Sequence, residues 1–251
     1  MISVILPCVN ELRHGYLPQI VENLCGQGGE KEIIAVLSPS QDGTAEFLAR
    51  CPAVRLVHTP AQNRAQRLNA GLAACRGEGV LLHHPATLLP EGTALTMIEQ
   101  ALRQEEVAWG GFCHSFDLDH WLLRFTSWYS TRVRSRLGQI LYLDHCVFAR
   151  RETLIAIGGV PDMDIFEDTA LSQRLQAHGP PLLLPGTVVT SARRFRQRGL
   201  YRQAALNQIL KLMYHAGASP AQMNRLYERT SQINVVYPVA PPPPTPRPKY
   251  K

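Results

Sequence analysis

Two adjacent carboxylates, Glu167-Asp168, open a helix-like segment, and two guanidinium groups, Arg193-Arg194, follow the apolar run that ends at Val189. A carboxylate beside a hydroxyl can take its proton as a general base. Paired guanidinium forks can take phosphate oxygens bidentately. Both motifs also have plainer uses: acids in a first helical turn complement the macrodipole, and Arg193-Arg194 begins a basic run continued by Arg196, Arg198 and Arg202, as on a solvated helix face. Asn63-Arg64 opens another helix-like segment and could offer backbone N–H groups or a guanidinium to an anion. Asn10-Glu11 ends the first apolar run, where polar residues can meet a ligand or simply cap a helix.

Those residues need elements to hold them. Ile2–Leu6 is a short β-branched run stopped by Pro7, the pattern of a buried parallel strand. Helical periodicity fills 17–25 and ends at Gly26-Gln27-Gly28-Gly29; strands are expected over 32–37, 54–58 and 79–83, and helices over 42–51, 63–75 and 93–104, the first capped near Ser40 or Asp42. Strands alternating with helices argue for a mostly parallel, doubly wound α/β sheet flanked by helices. Ligands bind beyond the carboxyl ends of such strands, here 7–11, 37–42 and 83–87.

The second half changes character. Strands are expected over 108–116, 141–150 and 181–189, and helices over 119–137, 166–177, 200–216 and 219–227. Helix 119–137 alternates Trp121, Phe125, Trp128 and Tyr129 with Arg124, Arg132, Arg134 and Arg136, which suits either a core-packed lid with a solvated face or peripheral contact with a membrane. The chain is divided as one domain over 1–230 (a nucleotide-binding half 1–105, an acceptor and catalytic half 106–230) and a proline-rich, disordered tail 231–251.

Of 251 residues, 45% are hydrophobic and 18% charged, enough apolar content for one sizeable core. The net charge of +6 suits phosphorylated small molecules or anionic lipid; without an RNA-binding signature, finger spacing or recognition helix, no nucleic-acid partner is expected. Six dispersed cysteines with no CxxC pair imply reduced thiols. Residues 1–7 read as a strand rather than a leader, so a cytoplasmic location is expected, extended to the inner membrane face if 119–137 touches lipid.

The ordered motifs carry more than any one alone. Pro7-Cys8-Val9-Asn10-Glu11, Ser40-Gln41-Asp42-Gly43-Thr44, Asn63–Gly71, Trp109-Gly110-Gly111-Phe112, Gly158-Gly159-Val160-Pro161-Asp162, Glu167-Asp168 and Thr190-Ser191-Ala192-Arg193-Arg194 follow one another as in family-2 glycosyltransferases of the GT-A fold. The chain resembles most a small bacterial subgroup associated with arsenosugar-type biosynthesis and radical-SAM partners. The resemblance implies transfer of a hexose-type sugar, with inversion, from a nucleotide-diphospho-sugar to a small or lipid-linked acceptor. It implies Asp168 as the base with Glu167 in support, and a donor site at Pro7, Asn10, Glu11, Asp42, Asn63, Arg64, Arg193 and Arg194. Trp109 and Asp144, the latter matching the Asp of the family's Gly-Asp-Gln motif, are implied on the acceptor side.

Two acids of that pattern are missing. His84-Pro85-Ala86-Thr87 has Ala86 where the family places a metal-binding Asp, and Leu37 stands where many relatives hold the nucleotide base with an Asp. Mg²⁺ or Mn²⁺ wants oxygen ligands that Ala86 does not supply, so no metal ligand is assigned. Three explanations stand: a metal-free enzyme using Arg64, Arg193 and Arg194 against the diphosphate charge; a metal held instead around Asp117, Asp119, His114 and His120; or a catalytically degenerate relative that acts by binding.

Overall fold

β-Branched and leucine-rich runs that read as buried strands form the centre of one eight-stranded sheet in the computed structural model, which describes residues 1–228. The strands are β1 (Ile2–Cys8), β2 (Lys31–Leu37), β3 (Val54–His58), β4 (Gly79–Leu82), β5 (Thr87–Leu88), β6 (Trp109–Phe116), β7 (Val147–Arg150) and β8 (Leu182–Thr190). Their order is β3-β2-β1-β4-β7-β6-β8-β5. The first four pair in parallel, in keeping with their largely apolar runs. β7 runs antiparallel to both β4 and β6, and β5 antiparallel to β8, so the sheet is mixed and continuous across both halves of the chain.

Helices cover the two faces: α1 (Leu17–Cys25), α2 (Thr44–Ala49), α3 (Arg64–Ala74), α4 (Ala94–Leu102), α5 (Trp121–Trp128), α6 (Ser135–Leu137), α7 (Arg151–Ala156), α8 (Glu167–Leu175), α9 (Arg193–Arg198), α10 (Leu200–His215) and α11 (Pro220–Glu228). Strand alternation sorts the core. Val4, Leu6 and Cys8 of β1 pack with α1 and α4, while Ile5 packs with Ala65, Leu68 and Leu72 of α3. Each such side chain taken from water contributes roughly 1.5–3 kcal/mol.

Three expected elements differ in detail. Segment 119–137 is broken: α5 passes into a π-helical stretch, Tyr129–Arg134, before α6. Segment 141–150 becomes a strand only from Val147; Leu143–His145 is a 3-10 turn closed by Cys146 at φ 51°, which turns Asp144 and His145 out of the strand path. The helix after Asp42 begins at Thr44 with Gly43 as its left-handed N-cap. Among the described residues no helix is long and apolar enough to cross a membrane. The expected tail 231–251 lies outside the described residues.

Candidate active site

The start of α3 and the carboxyl end of β4 face the second half of the chain across a cavity of about 240 Å³. Arg64 and His84 enter it from the first half; Arg134, Tyr142, Asp144, Asp168, Arg193 and Arg194 from the second. The sequence-expected base, support and diphosphate arginines are therefore brought together there, with Glu167 directly behind.

The join is built by α3. Asn63 caps that helix, its Oδ1 accepting the Gln66 N–H at 2.8 Å, while its Nδ2 donates to Asp162 at 2.7 Å. Asn69 grips the same loop twice, accepting from the Val160 N–H and donating to the Val160 carbonyl, both at 2.8 Å. Gly159 passes beneath at φ +76°; a Cβ there would lie 2.6 Å from Asn69 Oδ1. The loop then delivers Phe166 in the left-handed region (φ 62°), and α8 starts with Glu167-Asp168 at the cavity. A bulky residue held at positive φ is the kind of strain that surrounding structure must enforce.

Arg64 Nε donates to Glu167 Oε1 at 2.5 Å, and its Nη2 lies 3.9 Å from Asp168 Oδ2. Burial works against the guanidinium charge, but the two acids outweigh it and raise its pKa. Glu167 is 1% exposed. Asp168 accepts N–H bonds from Leu143 at 3.2 Å and from Thr169 at 2.7 Å. Its carboxyl is pushed up to about 6, first by burial and then by neighbouring Glu167, against the pull of Arg64. A carboxylate near neutrality is what a general base needs.

On the opposite wall α9 presents Arg193 and Arg194, and each meets an acid. Arg193 lies 4.0 Å from Glu11, and Arg194 lies 3.5 Å from Glu228 of α11. The Glu11 carboxyl is raised to about 7 by burial, which outweighs Arg193 and Arg67. Arg194 also sits 4.3 Å over the ring of Tyr227, which lines the cavity.

Asp144 is flanked by His114 at 3.4 Å and His145 at 4.0 Å. Burial lowers the pKa of both imidazoles, that of His145 to about 4, so both are neutral near pH 7. Burial would raise the Asp144 carboxyl, but His114, His145 and Arg134 more than offset it and hold it at about 2.

Other expected residues fall elsewhere. Asn10 accepts the Gln41 N–H at 2.8 Å, and Asp42 accepts from Thr44 and from the Arg13 N–H at 2.9 Å, so both side chains brace the turns after β1 and β2. Pro7 is buried in β1. Trp109, expected on the acceptor side, is 1% exposed in the core, and its indole N–H donates to the Gly179 carbonyl at 3.0 Å; a fully buried ring with its donor satisfied offers an acceptor no contact. Arg134, Tyr142, Lys211 and Tyr227 line the cavity without any motif having pointed to them.

A divalent cation at the position of Ala86 does not fit. The side chain is a buried methyl, and its carbonyl oxygen already accepts the Ser191 N–H at 2.9 Å. The alternative set is dispersed: Asp117 accepts from the Ala192 N–H and Arg196, while Asp119 pairs with Arg124. No three His, Cys, Asp or Glu side chains among the described residues are grouped to hold a metal ion.

Solved structures with this fold include a mannosyltransferase. The mannosyltransferase PcManGT from Pyrobaculum calidifontis, solved with GDP-Man and Mn²⁺, is 20% identical over 90% of this chain and 67% of its own, with a TM-score of 0.66. S. aureus TarS is 14% identical, with a TM-score of 0.58; the alignment covers 91% of this chain but only 42% of TarS. Its 1–349 fragment, solved with UDP-GlcNAc, is 14% identical over 91% of this chain and 70% of the fragment, also at 0.58. No curated protein matches the sequence. The model of the family described as "Glycosyl transferase family 2" matches residues 3–157, and with the fold and the cavity it settles the affiliation: this chain belongs to glycosyltransferase family 2 and has the GT-A fold.

Proposed function

We propose that the protein transfers a hexose-type sugar, with inversion, from a nucleotide-diphospho-sugar to a hydroxyl acceptor, the half 1–105 binding the nucleotide and the half 106–230 supplying the acceptor and catalytic groups together with Arg193 and Arg194 for the diphosphate. The observation that carries this reading is Asp168, a carboxyl raised to about 6 in the same cavity as Arg64, Arg193 and Arg194. The acceptor oxygen attacks the anomeric carbon as the bond from that carbon to the diphosphate oxygen breaks. Asp168 takes the hydroxyl proton, and the nucleoside diphosphate leaves with its added charge met by the arginines. Glu167 positions Arg64. Glu11 and Asn63 shape the donor side, while Pro7, Asn10 and Asp42 act through the turns they brace. Asp144 faces the acceptor.

Neutralisation by arginine in place of a metal is part of the proposal, supported by the unsuitability of Ala86 for a cation. So is the subgroup associated with arsenosugar-type biosynthesis, for which neighbouring genes provide the test. The outer face of α5 supports a cytoplasmic protein that rests on an anionic membrane: Trp121, Phe125 and Trp128 are more than half exposed, the Phe125 ring stacks on Tyr129 and lies tilted against Trp128, and exposed Arg132 and Arg136 follow. Sedimentation with phosphatidylglycerol vesicles, lost in a Trp121→Ser/Trp128→Ser variant, tests that contact.

One observation favours a second reading, a binding protein without turnover: the three arginines expected to meet the diphosphate each already face a protein carboxylate. Thermal-shift binding of UDP, GDP, dTDP and their sugars, with Mn²⁺ or EDTA, followed by assay of the sugars that bind, separates the two. Transfer that survives EDTA supports the enzyme. Donor binding with no hydrolysis or transfer to any acceptor, unaffected by Asp168→Asn, supports the binding protein.

A further inference from the structure

The cations of the cavity are not equivalent. Arg64, Arg193 and Arg194 each have a carboxylate within 4.0 Å. Arg134 and Lys211, on the acceptor side, have none within that distance among the described residues. Both are half-buried and address one aromatic ring: the Arg134 guanidinium lies 3.5 Å from the Tyr142 ring centroid and the Lys211 ammonium 6.0 Å from it. Arg134 donates to Ser130 Oγ and approaches His145 Nε2 at 3.4 Å, both neutral groups, while its Nε is buried with no hydrogen-bond partner. Asp144 is the acid of this wall, and it is turned between His114 and His145.

Two like charges side by side, removed from much of their water, repel and lose solvation. Consistent with this, burial and the nearby Arg134 lower the Lys211 pKa against the weaker pull of Asp144. Tyr142 relieves part of the strain through its ring face but supplies no negative charge. An arrangement with unmet donors in a concave site is completed by an anionic ligand. Ser130 and Arg134, four residues apart on the π-helical stretch, reach this wall together.

Resting on the transferase reading, we propose that Arg134 and Lys211 form a second anion site, and that the acceptor is a hydroxyl compound bearing a phosphate monoester. The phosphoryl oxygens lie between the guanidinium fork and the ammonium. The acceptor hydroxyl is thereby held toward Asp144 and Asp168, across the cavity from the donor diphosphate. A free phosphorylated metabolite and a lipid-linked phosphate share this chemistry.

The test uses the full chain saturated with whichever nucleoside diphosphate raises its Tm, so that the donor site is filled. Glycerol 3-phosphate and dihexanoyl phosphatidic acid are then titrated separately, with glycerol and dihexanoyl phosphatidylcholine as matched controls. The expected result is a further saturable shift with one or both phosphate monoesters and not with the controls, weakened about tenfold or more in Lys211→Gln, the size of a lost charge-assisted hydrogen bond. The ester that binds more tightly identifies the soluble or the lipid source. Lys211→Gln places a neutral side chain on a half-exposed position and should fold; its unchanged response to the nucleoside diphosphate verifies this. No shift with either phosphate beyond its control, or equal affinity in Lys211→Gln, overturns the site. If no nucleoside diphosphate binds but a phosphate monoester binds in a Lys211-dependent manner, the transferase reading fails while the anion site stands.

Discussion

Arg64 and Glu167 are 103 residues apart in sequence, yet the guanidinium Nε and the carboxylate Oε1 meet at 2.5 Å. This contact fastens the start of α3 to the start of α8 and sets Asp168 within 3.9 Å of the same guanidinium. Removing one partner from a buried pair leaves the other charge uncompensated, typically by about 3–5 kcal/mol. Arg64→Ala should therefore lower stability by that order in chemical denaturation. Arg64→Met/Glu167→Leu should recover most of it while abolishing turnover, so a stable double variant with normal activity would separate the pair from the chemistry.

Asp168→Asn should reduce turnover by about 10²–10⁴-fold with the fold intact. The wild-type kcat/KM should rise as pH increases through about 6, because the base works only when deprotonated. Stability runs the other way. A carboxyl whose folded pKa is raised above its unfolded value favours the fold below about 4, and that contribution fades as pH climbs through 6. Asp168→Asn mimics the protonated form, so it should equal or exceed wild-type Tm at pH 7.5 and lose that advantage toward pH 4. Circular-dichroism melts across this range decide the matter; a Tm deficit at pH 7.5 would place Asp168 among structural acids.

Glu228 occupies Arg194 much as a phosphate oxygen would, at 3.5 Å. Glu228→Gln should tighten nucleoside-diphosphate binding several-fold in calorimetry, by removing a competing anion from a charge-assisted contact. Arg194→Gln should weaken the same binding by about tenfold or more. Equal affinities in all three proteins would take Arg194 out of the donor site.

Gly159→Ala asks for a positive-φ alanine whose Cβ meets Asn69 Oδ1 at 2.6 Å. The combined strain should destabilise by about 1–3 kcal/mol. Turnover should fall further than KM rises, because the loop leads straight into Glu167-Asp168. A variant with reduced Tm but unaltered kcat would show that α8 holds its place without that loop.

Hydrophobic alternation made β1 to β4 and the helices between them legible, with α1 expected and found over the same residues. It carries no strand direction, so the antiparallel insertion of β7 between β4 and β6 was hidden, as was two-residue β5. Asp144 was found by its motif, but the turn that displaces it, with Cys146 in the left-handed region, has no glycine to announce it. That Asp168, Arg64, Arg193 and Arg194 are candidates sharing one cavity was legible because charged residues at element ends stand out. Arg134, Lys211 and Tyr227 were not, since only tertiary packing gives a residue on a mixed helix face its neighbour. Trp109 was misread for the same reason: its motif is local, but its burial is set by strands and turns remote in sequence.

The π-helical stretch Tyr129–Arg134 holds one residue more than an α-helix would need for the same advance. The wider turns absorb that residue, so the chain on either side keeps nearly the same phase. Deleting a single residue between Tyr129 and Thr131 would relax the segment to α-helix with its ends in place. The loss would stay local, falling on the contacts that Ser130 makes with His145 and Thr131 with the His114 N–H. A one-residue gap in an alignment at this place would therefore mark relatives that keep the fold but line this wall of the chamber differently.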